Sequence, residues 1–471
     1  MEKMIMEKRG HVLMIPFPSQ GHINPCLQFL KRLVSKGLKT TLVTTNFISK
    51  SIQPKLGHNI GIEFISDGYD NGGFAESDSV QSYLQRLQAV GSADLTQLIK
   101  KLNSSTEMKD NPVNCIVYDA FLPWALDVAR QFGLVGGSFF TQPCAVNSIY
   151  YQFGKGLLKI GEDMVTANSD VLITGLPLPL QVSDLPSFLG VPGTYPAYLE
   201  MVLNQFINVE EADWIFINSF DMLEVQVVDW MTKKFPQLRT IGPTIPSVYL
   251  DNRIEDDRDY GLNLFKPDSS ICMNWLNAKA NGTVVYVSFG SMADLSKEQM
   301  EELAMGLIGS NSYFLWVVRG SEEHKLSAKI LEEIETGNKG LVVKWSPQLQ
   351  VLSHEAVGCF VTHCGWNSTL EALSLGVPMV GIPQWTDQTT NAKFIEDEWR
   401  VGVRVKVSDA RKGIWTRKDL EVSIREVMEG EKGKEMKRNS SKWRKLAQQA
   451  VDLGGSSDQN LDEFVAKLIC S

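Results

Sequence analysis

The sequence predicts an α/β protein built from two doubly wound parallel sheets, that is, two Rossmann-like domains facing each other across a cleft. Apolar strands alternate with amphipathic helices in both halves of the 471-residue chain. That order gives parallel sheets covered by helices on both faces. The alternation is interrupted between residues 243 and 267, where three Pro and a charged run indicate a linker. Such sheets bind ligands beyond the carboxyl ends of their strands, so we expect the functional site in the cleft.

Each half opens with the same unit of strand, polar loop and helix. The first strand is predicted over residues 11–17, and a loop over residues 18–23 follows it. Asn24 is a favourable N-cap and Pro25 suits the first helical position, so the first helix is expected to begin there. The second half restarts with a strand over residues 283–289. Further strands are predicted at residues 40–45, 62–65, 115–119, 138–141 and 214–218, and then at 314–318, 341–344, 359–362 and 379–383.

Composition and charge exclude several classes of protein. The chain has 46 Lys and Arg against 55 Asp and Glu, a formal charge of −9, so nucleic acid is not an expected partner. Hydrophobic residues make up 43% and charged residues 21%, as in soluble globular proteins. The seven cysteines are too scattered for a disulfide scaffold. No apolar stretch reaches the roughly 18 residues of a membrane span. We expect a monomeric, cytosolic protein without a membrane span.

Two patterns resemble functional motifs but are better explained otherwise. Ser138, Tyr151 and Lys155 have the spacing of the catalytic residues of short-chain dehydrogenases, which makes an NADPH reductase an alternative function. Such an enzyme needs a glycine-rich turn after the first strand, and this sequence has none. Asp257 and Asp259 form a D-x-D pattern that binds a metal in some enzymes, but a solvated linker loop is the better interpretation. Neither a Walker-type phosphate loop nor a G-x-S-x-G elbow occurs.

One group of His and Cys residues lacks the spacing of a metal site. It comprises His354, Cys359, His363 and Cys364. Zinc ligands usually come in pairs roughly two to four residues apart, with a second such pair elsewhere. Here Cys359 and His363 fall at opposite ends of a predicted strand instead. We therefore expect no bound metal and no cofactor.

The 44 residues 345–388 carry the strongest functional signal. Within them a predicted strand ends at HCGWNS, residues 363–368, and a helix follows. Such a helix N-terminus binds anions, because its free backbone N–H groups and its dipole point at the preceding turn. The segment contains no Lys or Arg. A bound diphosphate would therefore depend on the helix end and on the side chains of His363, Asn367 and Ser368.

Glu371, within the same segment, has two interpretations. Ser368 and Glu371 have the spacing of a capping box, in which the glutamate only closes the helix N-terminus. A carboxylate at this place is also suited to accept hydrogen bonds from ribose hydroxyls. The sequence leaves both interpretations open.

The whole segment closely resembles the signature box of the plant UDP-sugar glycosyltransferases, inverting enzymes with the two-domain GT-B fold. The match covers all 44 positions without a gap. PFPSQGHINP near the start, VYDAFLPWALDVAR at residues 117–130 and VSFGSMADLS at residues 287–296 also agree with the family. The resemblance implies a metal-independent, UDP-glucose-dependent inverting glucosyltransferase. Its acceptor would be a hydroxyl or carboxyl group of a small apolar plant metabolite, such as a phenolic, a carboxylic acid, a steroid or a triterpenoid, and its product a β-glucoside.

The resemblance also assigns roles to residues. His22 matches the general base of the family, and Asp119 matches the carboxylate that orients this base and stabilises its positive charge. Histidine as a residue type suits the task because it titrates near neutral pH. A UDP-sugar-binding protein without catalytic activity is a further alternative, but it would not need both residues. The donor site is expected to consist of Ser291, Trp345, Ser346, Gln348, His363, Gly365, Trp366, Asn367, Ser368, Glu371, Asp387 and Gln388.

Each part of UDP-glucose has expected contacts within this donor site. By resemblance, Trp345 stacks on the uracil, Gln348 lies near the uridine and Glu371 binds the ribose. The diphosphate is expected to contact Ser291, His363, Asn367 and Ser368, and the sugar to contact Trp366, Asp387 and Gln388. In the family, glutamine at the last position of the box usually accompanies glucose, whereas histidine often accompanies galactose. The other interpretation of Asp387 and Gln388 is a cap on the helix that follows.

The acceptor site is expected mainly in the N-terminal half. Apolar and aromatic side chains there suit an apolar acceptor. The candidates are Phe17, Ser19, Phe121, Phe140, Thr141, Gln142 and Tyr150, with Trp385 from the other domain at the border. We divide the chain into an acceptor-binding domain over residues 1–245, a linker over 246–270, a UDP-sugar-binding domain over 271–453, and a helix over 454–471 that returns to the N-terminal domain.

Overall fold

The structure is a computed structural model, and it describes residues 10–51, 60–104, 111–191, 193–262, 267–406 and 414–470. Its long-range architecture is two parallel sheets, one in each half of the chain. The prediction of two parallel α/β sheets is confirmed. None of the described helices is long and apolar enough to cross a bilayer.

The N-terminal sheet is parallel throughout. Its strands are β1 His11–Ile15, β2 Lys39–Thr45, β3 Ile60–Ile65, β4 Val113–Asp119 and β5 Val135–Phe140, then, after a small hairpin of β6 Asp170–Val171 and β7 Leu180–Gln181, β8 Trp214–Ile217 and β9 Leu238–Thr240. Their order is β3-β2-β1-β4-β5-β8-β9. Val12 and Met14 of β1 belong to one apolar cluster, whereas Leu13 and Ile15 belong to another. Side chains alternate across a strand, so both faces of this sheet are covered.

The C-terminal sheet repeats this plan with six parallel strands in the described part of the chain. They are β10 Val284–Ser288, β11 Tyr313–Val317, β12 Gly340–Val343, β13 Val357–Thr362, β14 Met379–Gly381 and β15 Gly402–Arg404. Their order is β12-β11-β10-β13-β14-β15. In both sheets the strand order reverses beside the first strand, between β1 and β4 and between β10 and β13. Parallel sheets bind their ligands outside the carboxyl ends of the strands at this switch point.

Helices connect the strands. In the first half they are α1 Gln20–Ser35, α2 Asn46–Ser49, α3 Val80–Ser104, α4 Trp124–Gln131, α5 Cys144–Gly154, α6 Glu162–Ala167, α7 Ser187–Gly190, α8 Pro196–Asn204 and α9 Val225–Lys234. In the second half they are α10 Ser269–Asn277, α11 Lys297–Gly309, α12 Ala328–Thr336, α13 Gln348–Leu352, α14 Trp366–Leu375, α15 Gln388–Lys393, α16 Arg417–Met428, α17 Gly430–Val451 and α18 Ser456–Cys470.

The first helix begins earlier than its sequence predicts. Ser19 is the N-cap of α1, and the backbone N–H of Ile23 donates to the Ser19 carbonyl over 2.9 Å. The prediction that the helix starts after Asn24 is therefore wrong, and Pro25 lies inside the helix. As a consequence His22 stands in the first helical turn, where its backbone is fixed, and not in a loop.

The segment between the sheets is anchored to α1. Asp257 is buried and accepts a hydrogen bond from Nζ of Lys31 over 2.6 Å and another from the backbone N–H of Ser247 over 2.7 Å. The prediction of a solvated loop is wrong for Asp257, whereas Asp259 is exposed. A buried ion pair of this kind fixes the linker against the N-terminal sheet, because separating the pair would leave two buried charges without partners.

The C-terminal helix α18 packs on the N-terminal sheet. The ring of Phe464 lies 5.3 Å from Trp214 and 5.0 Å from Phe216 between centroids. Lys36 at the end of α1 forms an ion pair with Asp458 over 2.7 Å. These contacts support a C-terminal helix that returns to the N-terminal domain, and the residue bounds of the four-part division stay a prediction.

Candidate active site

A cavity of about 580 Å³ lies between the carboxyl ends of the two sheets. On the N-terminal side it is lined by residues that follow β1 and β4, such as His22 and Phe121. On the C-terminal side it is lined by residues that follow β10 and β13, such as Ser291 and His363. Ser138, Tyr151 and Lys155, the dehydrogenase-like pattern, do not line it.

His22 and Asp119 form a hydrogen-bonded pair at the cavity wall. Nδ1 of His22 lies 2.6 Å from Oδ2 of Asp119, whose side chain is only 1% exposed. The second carboxylate oxygen of Asp119 accepts the backbone N–H of Phe121 over 3.0 Å. The pair forms because β1 and β4 are neighbours, so the start of α1 and the end of β4 meet. With Nδ1 engaged, Nε2 is the ring nitrogen left to exchange a proton with a ligand.

Aromatic side chains surround this histidine. The ring of Phe17 lies 5.4 Å and that of Phe121 5.0 Å from the His22 ring, between centroids. Oγ1 of Thr141 lies 3.3 Å from Nδ1 of His22. These neighbours restrict the imidazole to an orientation that keeps its contact with Asp119.

Pro25 connects this wall to the other side of the cleft. In a regular helix the N–H of residue 25 would donate to the carbonyl of Gly21, but proline has no N–H. The freed carbonyl of Gly21 instead accepts a hydrogen bond of 2.7 Å from Nδ2 of Asn367, in the HCGWNS turn. The peptide next to His22 is thus held by the opposite domain.

The HCGWNS turn packs tightly around His363. A Cβ on Gly365 would lie 2.4 Å from Nε2 of His363, and one on Gly290 would lie 2.9 Å from Cε1 of the same ring. Gly290 also has a positive φ of 68°. Burial lowers the pKa of His363 to about 4, so the imidazole is neutral at physiological pH. A neutral imidazole can donate one N–H to a phosphate oxygen.

Trp366 hydrogen-bonds across the cleft, and its expected contact with the sugar stays a prediction. Its indole N–H donates to the backbone carbonyl of Asn218 in the N-terminal half over 2.6 Å, and the side chain is buried. Trp366 still borders the cavity, together with Gly365, Asn367 and Ser368. The N-terminus of α14 therefore lies at the cavity, where a helix end can bind an anion.

Glu371 lies at the centre of a hydrogen-bond network. Its carboxylate accepts from the hydroxyl of Tyr260 and from Nε2 of Gln348, each over 2.7 Å. Nε2 of Gln348 also lies 3.0 Å from Oγ of Ser368. Burial raises the pKa of Glu371 to about 7. The capping-box interpretation is wrong, because α14 begins at Trp366 with Gly365 as N-cap and no side chain caps it.

The hydroxyl of Tyr286 extends the same network toward Trp345. It lies 2.8 Å from Oγ of Ser346 and donates to Oε1 of Gln348 over 3.1 Å. Ser346 and Gln348 flank the start of α13, and both line the cavity with Trp345. Of the residues predicted to bind the uridine, Gln348 and Glu371 are therefore connected by a side-chain hydrogen bond, and Trp345 lines the same cavity.

Asp387 and Gln388 form the end of the box. Asp387 accepts a hydrogen bond of 2.6 Å from Nδ2 of Asn391, and burial raises its pKa to about 6. Oε1 of Gln388 accepts the backbone N–H groups of Gln384 over 2.9 Å and of Trp385 over 3.1 Å. Neither side chain caps α15. The carbonyl end of Gln388 thus holds the preceding turn, and Gln388 lines the cavity.

The acceptor residues expected from sequence fall into two groups. Phe17, Ser19, Phe121, Thr141, Gln142 and Trp385 line the cavity. Phe140 and Tyr150 do not, and their assignment to the acceptor wall is corrected here. Phe140 is 2% exposed with its ring stacked 5.5 Å from Phe206, and Tyr150 on α5 is fully buried. An aromatic residue near the carboxyl end of a strand suits both the core and a cavity wall, and here Phe140 and Tyr150 are buried in the same hydrophobic core cluster.

Sequence reasoning missed several cavity residues. They are Tyr83, Leu84, Phe188, Tyr198, Met201, Val202 and Tyr260. The ring of Trp385 packs edge-on against Tyr198 at 5.3 Å and against Phe188 at 5.8 Å. These residues belong to α3, α7, α8 and the linker, which contain no motif. Helical spacing of the apolar residues on α3 and α8 was the available signal.

Across the described ranges no three His, Cys, Asp or Glu side chains form a group able to hold a metal ion. His354, from the predicted His and Cys group, instead contacts Oδ1 of Asn277 over 3.1 Å.

The cavity and the two sheets together identify the class of protein. The chain superposes on Os79 from O. sativa, solved in complex with UDP, with a TM-score of 0.89 and 39% identity, covering 97% of this chain and 100% of Os79. Os79 with U2F and a trichothecene gives a TM-score of 0.86 at the same identity and coverage. The fold is therefore that of the two-domain GT-B transferases, as predicted.

The family follows from the sequence comparisons. The model of the family "UDP-glucoronosyl and UDP-glucosyl transferase" matches residues 205–446. UDP-glycosyltransferase 74F2 of Arabidopsis thaliana is 56% identical over 98% of this chain and 99% of its own length. Flavonol 7-O-beta-glucosyltransferase UGT74F1, also of Arabidopsis thaliana, is 53% identical over 99% of both. The chain belongs to this family, the plant family 1 UDP-glycosyltransferases, and is a glycosyltransferase.

Proposed function

We propose that the enzyme transfers glucose from UDP-glucose to a small aromatic acceptor with inversion, giving a β-glucoside. One observation carries the proposal. A single cavity has the His22–Asp119 pair on one wall and, on the other, the N-terminus of α14 within a 44-residue box that contains no Lys or Arg. Such an arrangement suits removal of a proton from an acceptor at one wall and departure of a diphosphate at the other.

The chemical step assigns the general base to His22. Nε2 takes the proton of the acceptor hydroxyl as the acceptor oxygen attacks C1 of glucose. The bond between C1 and the diphosphate oxygen breaks, and its electron pair leaves with UDP. Attack opposite the leaving group converts the α linkage of the donor into a β linkage. Asp119, 2.6 Å behind the ring, stabilises the imidazolium that forms.

The donor assignments follow the geometry of the C-terminal wall. Trp345, Gln348 and Glu371 are our candidates for the uridine. For the diphosphate we propose the N-terminus of α14 with Asn367 and Ser368, and beside it Ser291 and neutral His363. Asp387 and the NH₂ group of Gln388 are proposed to bind glucose hydroxyls. A buried carboxylate and amide discriminate strongly between hydroxyl configurations, since a mismatch leaves one of them unpaired at a cost of about 1–3 kcal/mol.

The acceptor is proposed to be a flat phenolic or aromatic carboxylic acid. Rings of Phe17, Phe121, Phe188, Tyr198 and Trp385 border the space beside His22. Aromatic side chains favour an aromatic ligand through edge-on and offset contacts. The relative UGT74F1 is described as a flavonol glucosyltransferase, which supports a phenolic acceptor. Steroid and triterpenoid acceptors stay in the test, since Mogroside I-E synthase of Siraitia grosvenorii is 46% identical.

The proposal extends to metal use, oligomeric state, cellular compartment and the roles of the two domains. We propose a metal-independent, monomeric enzyme of the cytosol, in which residues 1–245 bind the acceptor and residues 271–453 bind the donor. The seven described cysteines are all free, which suits a reducing compartment.

The test is a transfer assay with the purified protein. UDP-glucose is offered with a panel of phenols, aromatic carboxylic acids, steroids and triterpenoids in EDTA, and products are followed by mass spectrometry and NMR. We expect release of UDP with a β-glucoside of an aromatic acceptor. Binding of UDP-glucose without transfer would indicate a sugar-binding protein, and turnover that requires Mg²⁺ or Mn²⁺ would contradict the metal-free mechanism.

A further inference from the structure

We propose that Tyr260, from the segment between the two sheets, is a positioning residue that holds the Glu371 carboxylate in place for the ribose hydroxyls of the donor. The proposal rests on the proposed function, because it concerns donor binding at the same site. It adds a residue outside the signature box and outside both sheets.

The first support for this role of Tyr260 is the hydrogen-bond geometry around Glu371. Tyr260 and Gln348 each donate to a different oxygen of Glu371, over 2.7 Å. A carboxylate offers about four lone-pair positions, so each oxygen can keep its present donor and still accept a ribose hydroxyl. All three side chains line the cavity. The two donors thus fix the direction of the carboxylate without blocking its ligand-binding side.

The position of Tyr260 is itself fixed from the N-terminal domain. Three residues earlier, Asp257 forms its buried ion pair with Lys31 of α1. Nζ of Lys31 also donates to the backbone carbonyl of Asp259 over 2.7 Å, and Nε2 of Gln28 donates to the same carbonyl over 3.3 Å. The backbone immediately before Tyr260 is therefore anchored on α1, the helix that carries His22.

Electrostatics explains why Glu371 depends on such a donor. The titratable groups around this carboxylate are Tyr249, Tyr260 and Tyr286, with Asp257, Asp259 and Cys272 behind them. None of these is a cation. Burial raises the pKa of Glu371 to about 7, and the hydrogen bonds from Tyr260 and Gln348 act against that rise. Removing the Tyr260 hydroxyl therefore moves the pKa of Glu371 further up and leaves the residue protonated at neutral pH.

The experiment measures the affinity of UDP-glucose across pH. A higher pKa of Glu371 leaves less of the carboxylate at pH 7, so Tyr260→Phe should weaken UDP-glucose binding about fivefold at pH 7 and less than about twofold at pH 8.5, where Glu371 is mostly ionised in both proteins. UDP-glucose is the probe because its diphosphate is a diester, whereas a terminal phosphate such as that of UDP itself titrates near pH 6. The rate at saturating donor should change little.

Two comparisons isolate the effect. Tyr249 lies in the same segment as Tyr260, and its hydroxyl makes no hydrogen bond within the described residues. Tyr249→Phe should therefore keep the wild-type pH profile of UDP-glucose affinity. Adding Tyr260→Phe to Glu371→Gln should produce no pH-dependent loss, since glutamine does not titrate. Asp387 and His363 titrate in the same cavity in every variant, so the difference between profiles reports on Glu371.

The outcomes separate this inference from the proposed function. A Tyr260→Phe profile that is parallel to wild type, whether unchanged or uniformly weaker, overturns the positioning role while leaving the donor assignment intact. Wild-type protein that fails to bind UDP-glucose at any pH overturns the donor assignment itself. Thermal melting at pH 8.5 verifies that Tyr260→Phe is folded, and a folded variant with an upward-shifted profile supports the proposal.

Discussion

Replacing His22 tests the proposed mechanism most directly. A general base usually contributes about 10²–10⁴-fold, so His22→Ala should lower kcat by that factor for an acceptor hydroxyl. An unactivated phenol, with a pKa of about 10, arrives protonated and needs the base. Nitrophenols and carboxylic acids that are ionised at assay pH should lose much less. UDP-glucose affinity should barely change, because the donor box lies on the other wall.

Substitution of Asp119 gives a second, independent measure of how much the His22–Asp119 pair contributes to the transfer rate. It supports the histidine through one charge-assisted hydrogen bond of 2.6 Å. Such a bond is worth about 1.5–3 kcal/mol, so Asp119→Asn should slow transfer about 10- to 100-fold. Asparagine retains an oxygen for the backbone N–H of Phe121, which limits structural damage. Because Asp119 acts through the imidazole, the double variant with His22→Ala should be no slower than His22→Ala alone.

The assay compares kcat for phenols of graded acidity in the single and double variants, with UDP-glucose affinity and melting temperature measured alongside. His324→Ala is the matched control, since His324 is exposed and outside the cavity. Equal losses for ionised and protonated acceptors, or a double variant that is slower by the product of the single effects, would refute the base assignment. A collapse of donor affinity in His22→Ala would give the residue a structural role instead.

Three further predictions follow from the geometry. Gln388→Ala should lower the free energy of unfolding by about 1–3 kcal/mol, because two backbone N–H groups lose their acceptor. It should also reduce the kcat/KM preference for UDP-glucose over UDP-galactose, and an unchanged preference would leave Gln388 with only a structural role. Glu371→Gln should weaken donor binding, because an amide accepts fewer hydroxyl hydrogen bonds than a carboxylate. The same variant should stabilise the empty enzyme by about 3 kcal/mol at pH 8, with the gain vanishing near pH 4.5, because the folded state raises the pKa of Glu371 from 4.5 to about 7 and so loses stability as pH rises between those values; parallel pH–stability curves would contradict this. Pro25→Ala supplies an N–H that competes with Asn367 for the Gly21 carbonyl. We expect kcat/KM to fall about two- to tenfold without a lower melting temperature. A kcat/KM equal to wild type would mean that the hydrogen bond from Asn367 to Gly21 is not used in turnover.

The two sheets and the donor box were within reach of sequence reasoning because their signals are local. A strand, a polar turn and a helix within ten residues fix where His363, Asn367 and Ser368 must lie relative to the helix N-terminus. The pairing of His22 with Asp119 was available only through the family resemblance. Their 97-residue separation is bridged by the pairing of β1 with β4, which no local pattern reveals.

The errors have one physical cause, which is that distant partners overrode local preferences. Pro25 suits a helix start, but its missing N–H is harmless inside α1 because Asn367, 346 residues away in sequence, satisfies Gly21. Asp257 resembles a solvated linker residue, but it is buried in an ion pair with Lys31, 226 residues away in sequence. Phe140 and Tyr150 are aromatic residues of the kind that lines ligand pockets, but both are buried in the hydrophobic core, where Phe140 stacks on Phe206.

Hydrogen bonds across the cleft connect the two walls of the cavity. Asn367 holds the peptide beside His22, Trp366 donates to the carbonyl of Asn218, and Tyr260 brings an α1-anchored hydroxyl to the Glu371 carboxylate. Each of these bonds joins a donor-box residue to the N-terminal domain or to the segment fixed on it. We therefore expect a substitution that displaces a residue on one wall of the cavity to affect groups on the other wall. Two substitutions that face each other across the cleft should accordingly have non-additive effects. The effects of two substitutions that lie far from the cleft, one in each sheet, should be additive.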